Sequence, residues 1–139
     1  MNEKPLLVEA DIYIHAYDVD ALGYVSNIVY IRWFEDMRHY FLDVHYPFER
    51  MIADGLSPVL MQVEAEYRKP LTIHDKPQGR IWMEKIGATK WTMNYEIVQE
   101  GTVHCFGRQT GYFMELGSQR PVRLPENMVS AFRAARGQG

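Results

Sequence analysis

Cysteine occurs once in the 139 residues, at Cys105, so no intrachain disulfide and no cysteine-based zinc site can form. A fold must therefore be held by burial, and the lone thiol, whose plainest role is a small core residue, fits a reducing compartment. Long apolar runs are missing too. The opening MNEKPLLVEADIYIH is broken by Glu3, Lys4, Glu9 and Asp11, unlike a signal peptide, and no later stretch approaches a membrane span. Basic charge is not in excess: the formal net charge is -3, and the lysines and arginines are scattered rather than gathered into the field that duplex DNA needs. A cytoplasmic protein with neither nucleic acid nor membrane as partner is expected. His15, His39, His45, His74 and His104 show no HExxH or comparable ligand spacing, and no metal is expected. His104 adjoins Cys105, but strand neighbours point to opposite faces, which argues against a nucleophilic pair.

What is present is a core. With 47% hydrophobic residues against 24% charged, a chain of this length suits one domain, residues 1–139. From Leu7 to Tyr17 apolar residues alternate with Glu9, Asp11 and His15, the pattern of a half-buried strand. Asp18-Val19-Asp20-Ala21-Leu22-Gly23 then reads as a turn. Ser26-Asn27 opens a helix whose Tyr30, Trp33, Phe34, Met37, Phe41 and Val44 recur at three and four. Its Arg32, Glu35, Asp36, His39 and Asp43 are expected to look outward or toward a partner subunit. Pro47 to Asp54 suits a short second helix closed by Gly55. Four more strands follow: Val59 to Tyr67, Arg80 to Ile86, Trp91 to Ile97 and Thr102 to Leu116, the last with bends or bulges expected at Gly107 and Gly111. Leu124-Pro125 opens a C-terminal helix with Met128, Val129 and Phe132. The early helix alone has enough apolar surface for such a sheet to cover, so the expected class is α+β, with a five-stranded antiparallel sheet wrapped around one long helix.

At residues 17–35, YDVDALGYVSNIVYIRWFE resembles the hotdog-fold thioesterases of the 4-hydroxybenzoyl-CoA type, whose pattern is an Asp-x-Asp-x-x-Gly loop running into a Tyr-x-x-(Trp/Tyr)-(Phe/Leu) helix. The likeness continues through Gly55-Leu56-Ser57-Pro58, Tyr67-Arg68-Lys69-Pro70 with Asp75, and the Gly87-Ala88-Thr89-Lys90 turn, and covers roughly residues 8–116. Many relatives carry histidine and a second asparagine where this chain has Tyr24 and Ser26, a departure that bears on substrate more than on reaction.

The resemblance implies hydrolysis of acyl-CoA thioesters without metal or organic cofactor. It implies Asp20 as the catalytic carboxylate, either nucleophile or general base, and the backbone N–H of Asn27 as the oxyanion donor. The residues agree in kind: a carboxylate precedes the first-turn amide of a helix, where free N–H groups favour negative charge, across a Gly-containing loop. Asp18 suits a structural role in the turn. A calcium loop is excluded because Leu22 and Val29 stand where oxygen ligands belong. Tyr24, Tyr30 and Trp33 are candidates to shape an acyl pocket, and Ser57 to line the site opposite Asp20. Arg68, Lys69, Thr89, Lys90 and Arg108 are candidates for the phosphate-bearing end of CoA. Relatives further imply a homodimer or homotetramer with the site at a subunit interface. Two alternatives stay open: an acyl carrier protein thioesterase, and a non-catalytic acyl-CoA binding module.

Overall fold

The computed structural model describes residues 3–137, so the expected domain limits at 1 and 139 lie outside the described residues. The chain runs β1 (Val8–Asp11), a 3-10 turn (Ala16–Asp18), α1 (Asn27–His45), α2 (Phe48–Ala53), β2 (Leu56–Tyr67), β3 (Gln78–Ile86), β4 (Lys90–Gln99), β5 (Thr102–Glu115), β6 (Pro121–Val122) and α3 (Glu126–Ala135). All pairings are antiparallel, in the order β1-β3-β4-β5-β2, with β6 on β5. The sheet thus has six strands rather than the expected five. The sixth is two residues long, too short for any alternation to be legible.

The first strand also stops earlier than its pattern suggests, at Asp11. Asp18 turns its carboxylate back to accept the His15 N–H at 2.9 Å, and the Asp18 N–H donates to the His15 carbonyl at 2.9 Å. Local side-chain capture of the backbone replaces the ladder and makes the 3-10 turn.

Helix α1 is held by its aromatic stripe rather than by a cap. Ser26 occupies the N-cap in an extended conformation but makes no side-chain capping bond. Val29, Tyr30, Trp33, Phe34, Met37, Phe41 and Leu42 are buried, facing Ile81, Met83, Trp91, Met93, Tyr95, Ile97 and Cys105 of the sheet. Full burial of one such side chain contributes about 1.5–3 kcal/mol, so this stripe fixes the helix on the sheet. Pro47 follows the helix and prevents its continuation.

The glycines of β5 have a different role from the bends expected of them. Gly107 lies in regular register between Ala65 and Tyr95, and a Cβ there would collide with the Phe34 ring. At Gly111 a Cβ would meet the Trp91 ring and the Val59 carbonyl. The bulge itself is on β2, between Leu60 and Gln62, opposite Gly111 and Thr110. Both glycines let large rings lie flat against the backbone.

One polar group is built into this core. Gln109 is fully buried, accepts from Arg38 at 2.8 Å and from the Tyr95 hydroxyl, and donates to Glu35 at 2.7 Å. Arg38 closes the ring by donating to Glu35 at 2.5 Å. Glu35, expected on the outer face, therefore turns toward the sheet, because an inward glutamine needs partners once buried. Among the described residues no helix is long and apolar enough to cross a membrane.

Candidate functional site

Residues 18–26 fold as a small hairpin. Val19 pairs with Val25, the Asp20 N–H donates to the Tyr24 carbonyl at 2.8 Å, and the Ser26 N–H donates to the Asp18 carbonyl at 2.9 Å. Gly23 makes the reversal possible with φ of +84°. Asp20 stands at the tip. Its Oδ1 accepts the Leu22 N–H at 2.9 Å and the Tyr24 N–H at 3.1 Å, while Oδ2 meets no donor among the described residues. This register sets Asp20 opposite Tyr24, three residues before Asn27. The Asn27 N–H, first of the helix, has no acceptor among the described residues. A carboxylate with one idle oxygen and a free helix amide thus share one end of the molecule. Asp20 is exposed in the single chain.

Several residues brace this end. Tyr67, at the end of β2, donates its hydroxyl to the Asn27 carbonyl at 2.8 Å, and its ring meets Tyr30 edge-on at 5.3 Å. Tyr30 lies in the core, and burial pushes its phenol up to about 12, so it stays a neutral wall. Tyr24 bridges to Thr72, and the Val25 N–H donates to Leu71 at 2.8 Å. The 72–77 turn behind them is clamped by Asp75, which accepts the Thr72 N–H at 2.8 Å and the Gln99 amide at 2.6 Å. The Thr72 amide and the Gln99 side chain hold the Asp75 carboxyl below its ordinary value, against the opposing effect of burial. His104 Nδ1 adds contacts of 3.2 Å to the carbonyls of Lys69 and Pro70. Thr72, Gln99 and His104 carried no motif of their own. Their only signal is polarity beside strand ends, which is not specific.

Arg68 sits at the same end, paired with Glu66 and lying 5.7 Å from the Phe106 ring. Lys69 is exposed beside it. Ser57, Thr89 and Lys90 do not join Asp20 in one chain. Ser57 is ten residues from Tyr67 along β2, about 33 Å at ~3.3 Å per residue, and its hydroxyl contacts the Pro58 carbonyl at 3.2 Å. Lys90 pairs with Tyr112, which also pairs with Val59, so the 87–90 turn lies at the Ser57 end. Arg108 is engaged on the outer sheet face, 3.1 Å from Glu84 and 3.3 Å from Asn94. It shares a groove of about 520 Å³ with Lys85, Lys90, Thr92 and Thr110. A second groove, of about 390 Å³, runs between α1 and the 11–18 segment, lined by His15, Tyr17, Asp18, Arg32, Trp33 and Asp36. Among the described residues no cluster of three or more His, Cys, Asp or Glu side chains could hold a metal ion. Cys105 is buried, and burial pushes its thiol up to about 12, which removes it as a nucleophile.

Comparison with known proteins agrees with this architecture. Residues 14–132 match the model of the thioesterase-like superfamily. A protein of Aquifex aeolicus (strain VF5) that carries a provisional esterase name is 31% identical over 100 residues, covering 66% of this chain and 78% of the relative. Among solved structures, a DHNA-CoA thioesterase from Staphylococcus aureus superimposes with a TM-score of 0.83 at 19% identity, over 94% of this chain and 91% of that one. A Thermus thermophilus thioesterase, solved with coenzyme A and Zn, gives 0.82 at 22% identity over 100% and 99%. The helix wrapped by an antiparallel sheet is the hotdog fold of these enzymes, and the chain belongs to the thioesterase-like superfamily.

Proposed function

We propose that residues 1–139 form one thioesterase domain that hydrolyses an acyl-CoA thioester to a free carboxylic acid and CoA. The observation that carries this reading is the 18–26 hairpin, which folds a carboxylate with one idle oxygen back toward the unsatisfied first amide of α1. Asp20 either removes a proton from water, which attacks the carbonyl carbon, or attacks directly through Oδ2 to give a mixed anhydride that water then cleaves. In both routes the carbonyl oxygen gains charge against the Asn27 N–H and the C–S bond breaks; in the first the leaving sulfur takes the proton that Asp20 drew from water, and in the second CoA leaves as the thiolate and is protonated by the water that later cleaves the anhydride. Thioesters are already activated, so these two groups suffice without a metal or organic cofactor.

The site is completed across a homodimer. Strand β2 is twelve residues long, forms the sheet edge and exposes Met61, Gln62, Glu64 and Glu66. An open edge of that length calls for pairing. Antiparallel pairing of two β2 edges lays the Ser57 and Thr89–Lys90 end of one chain beside the Asp20 end of the other. In that arrangement Ser57 and Tyr24 line the site, Tyr30 backs its wall, and Arg68, Lys69, Thr89 and Lys90 face the mouth. Arg108, tied to Glu84 and Asn94, contributes least. A dimer of such dimers gives the homotetramer, and the cytoplasm is the compartment where acyl-CoA is met.

The test is thiol release from a panel of short, long-chain and aromatic acyl-CoAs by the purified protein. Turnover on any of them supports the reading. Tight binding of several acyl-CoAs with no thiol release selects the non-catalytic binding module instead. Turnover confined to acyl carrier protein substrates selects the carrier-protein enzyme.

A further inference from the structure

Along α1 most charged side chains find a partner within the chain: Arg38 pairs with Glu35, and His39 lies 3.6 Å from Asp43. Arg32 and Asp36 do not. Both are exposed, and neither has an ion-pair or hydrogen-bond partner among the described residues, although they stand four apart, where opposite charges can meet on a helix. A base four residues ahead of an acid is the weaker order for such a pair, because it opposes the helix dipole. On the same row, one turn to either side, lie the apolar Ile28 and Tyr40, 59% and 45% exposed. The row Ile28, Arg32, Asp36, Tyr40 therefore runs apolar, positive, negative, apolar.

Such a row is complementary to itself when reversed. A second copy laid antiparallel about a twofold axis beside position 34 sets Arg32 against the partner's Asp36, Asp36 against the partner's Arg32, and Ile28 and Tyr40 against the partner's Tyr40 and Ile28. The outer face of the sheet offers no such match, because its charges are met within the chain: Arg80 by Glu9 and Glu96, Arg108 by Glu64 and Glu84. The row also stands clear of the β2 edge. Arg32, Asp36 and Tyr40 line one groove with Asp11 and Tyr13 on the β1 side, whereas Arg38 shares a pocket with Pro58 of β2, and β1 and β2 are opposite ends of the sheet. We propose that the exposed face of α1 is a contact between two copies of this chain, an antiparallel helix pair held by reciprocal Arg32–Asp36 ion pairs with Ile28 against Tyr40. The inference rests on the homotetramer of the proposed function and gives it a geometry: β2 pairing makes each dimer, and the helix rows join two dimers. Because Ile28 follows Asn27 in the chain, the neighbour's Tyr40 packs one residue from the amide on which the reaction depends.

The experiment follows assembly by sedimentation velocity over a range of protein concentrations for wild type, Arg32→Glu, Asp36→Arg, the exchanged double variant Arg32→Glu/Asp36→Arg, and an equimolar mixture of the two single variants. Urea midpoints confirm that each variant is folded. The twofold axis turns each single reversal into two like-charge contacts, so each single variant should dissociate from tetramer to dimer with a dissociation constant raised roughly ten- to hundredfold. The exchanged double variant should be tetrameric again, and so should the mixture, in which every contact regains opposite charges. An assembly state that neither single variant changes overturns the inference, as does a double variant or a mixture that stays dissociated. Dissociation of both single variants directly to monomers, with recovery in the double variant, supports the helix contact and counts against β2 pairing. Thiol release plays no part in this readout, so a wild type that cleaves no acyl-CoA defeats the thioesterase reading while the sedimentation series still decides the helix contact.

Discussion

Replacing Gly107 by alanine tests how the central helix is seated. Phe34 is fully buried, and its ring lies 4.8 Å from that of Tyr95, directly over Gly107. An added Cβ would fall 2.5 Å from Phe34 Cε2 and closer still to Cζ, where carbon contacts normally stand at about 3.5–4.0 Å. The ring must withdraw by about 1 Å. It is boxed in by Tyr95 beside it and by the buried stripe of α1 around it. Overpacking of this kind costs about 1–3 kcal/mol, a large part of the ~5–15 kcal/mol that holds a typical domain together. The collision involves only Cζ, Cε1 and Cε2, atoms that leucine lacks. Urea unfolding followed by tryptophan fluorescence of four proteins (wild type, Gly107→Ala, Phe34→Leu and the double variant) isolates the contact. The alanine should cost about 1–3 kcal/mol beside Phe34 and close to nothing in the Phe34→Leu background, where the stiffer unfolded chain even favours it slightly. Equal cost in both backgrounds would refute the claim that Gly107 is there to admit the Phe34 ring.

Other consequences follow from the bracing groups. Asp75→Ala removes the acceptor shared by Thr72 and Gln99 and should cost about 1–3 kcal/mol, with a loss of thioesterase rate as the Tyr24–Thr72 bridge loosens. Denaturant midpoints and rates measured on one preparation check both. Because the folded Asp75 carboxyl is held below its unfolded value of 3.8, its contribution is complete above that value and fades as pH falls through the folded one; the alanine variant should show a weaker loss of stability in that acid range. His45 has the opposite origin: burial lowers its pKa from 6.5, and its Nε2 is buried without a partner among the described residues. The unfolded chain therefore takes up a proton that the folded state resists, and stability should fall as pH drops through about 6.5. In His45→Leu that part of the pH dependence should vanish, as midpoints at pH 7.5 and 5.5 will show.

Much of the architecture was legible because it rests on period. The three-and-four spacing of Tyr30, Trp33, Phe34, Met37 and Phe41 is a burial requirement, and α1 spans Asn27–His45 as that spacing implies. Strand β5 alternates along most of its length, and the Glu100–Gly101 reversal takes positive φ at both residues, as a two-residue hairpin demands. Elements set by single long-range bonds were not legible. Asp18 ends β1 by capturing an amide, and nothing in the alternation of Ile12 and Ile14 announces it. Glu35 turns inward because the side-chain amide of Gln109, 74 residues away, needs an acceptor inside the core. At the site, the Asp-x-Asp-x-x-Gly loop and its helix were readable from their motif.

The central claim is that the idle oxygen of Asp20 does the chemistry, and Asp20→Asn tests it with little disturbance. The asparagine Oδ1 can still accept from Leu22 and Tyr24, so the hairpin should keep its shape. Steady-state thiol release from the best acyl-CoA, with Kd for a non-hydrolysable analogue as the control, should show a rate reduced at least a hundredfold and binding unchanged. A variant that hydrolyses its substrate at the wild-type rate would contradict the account.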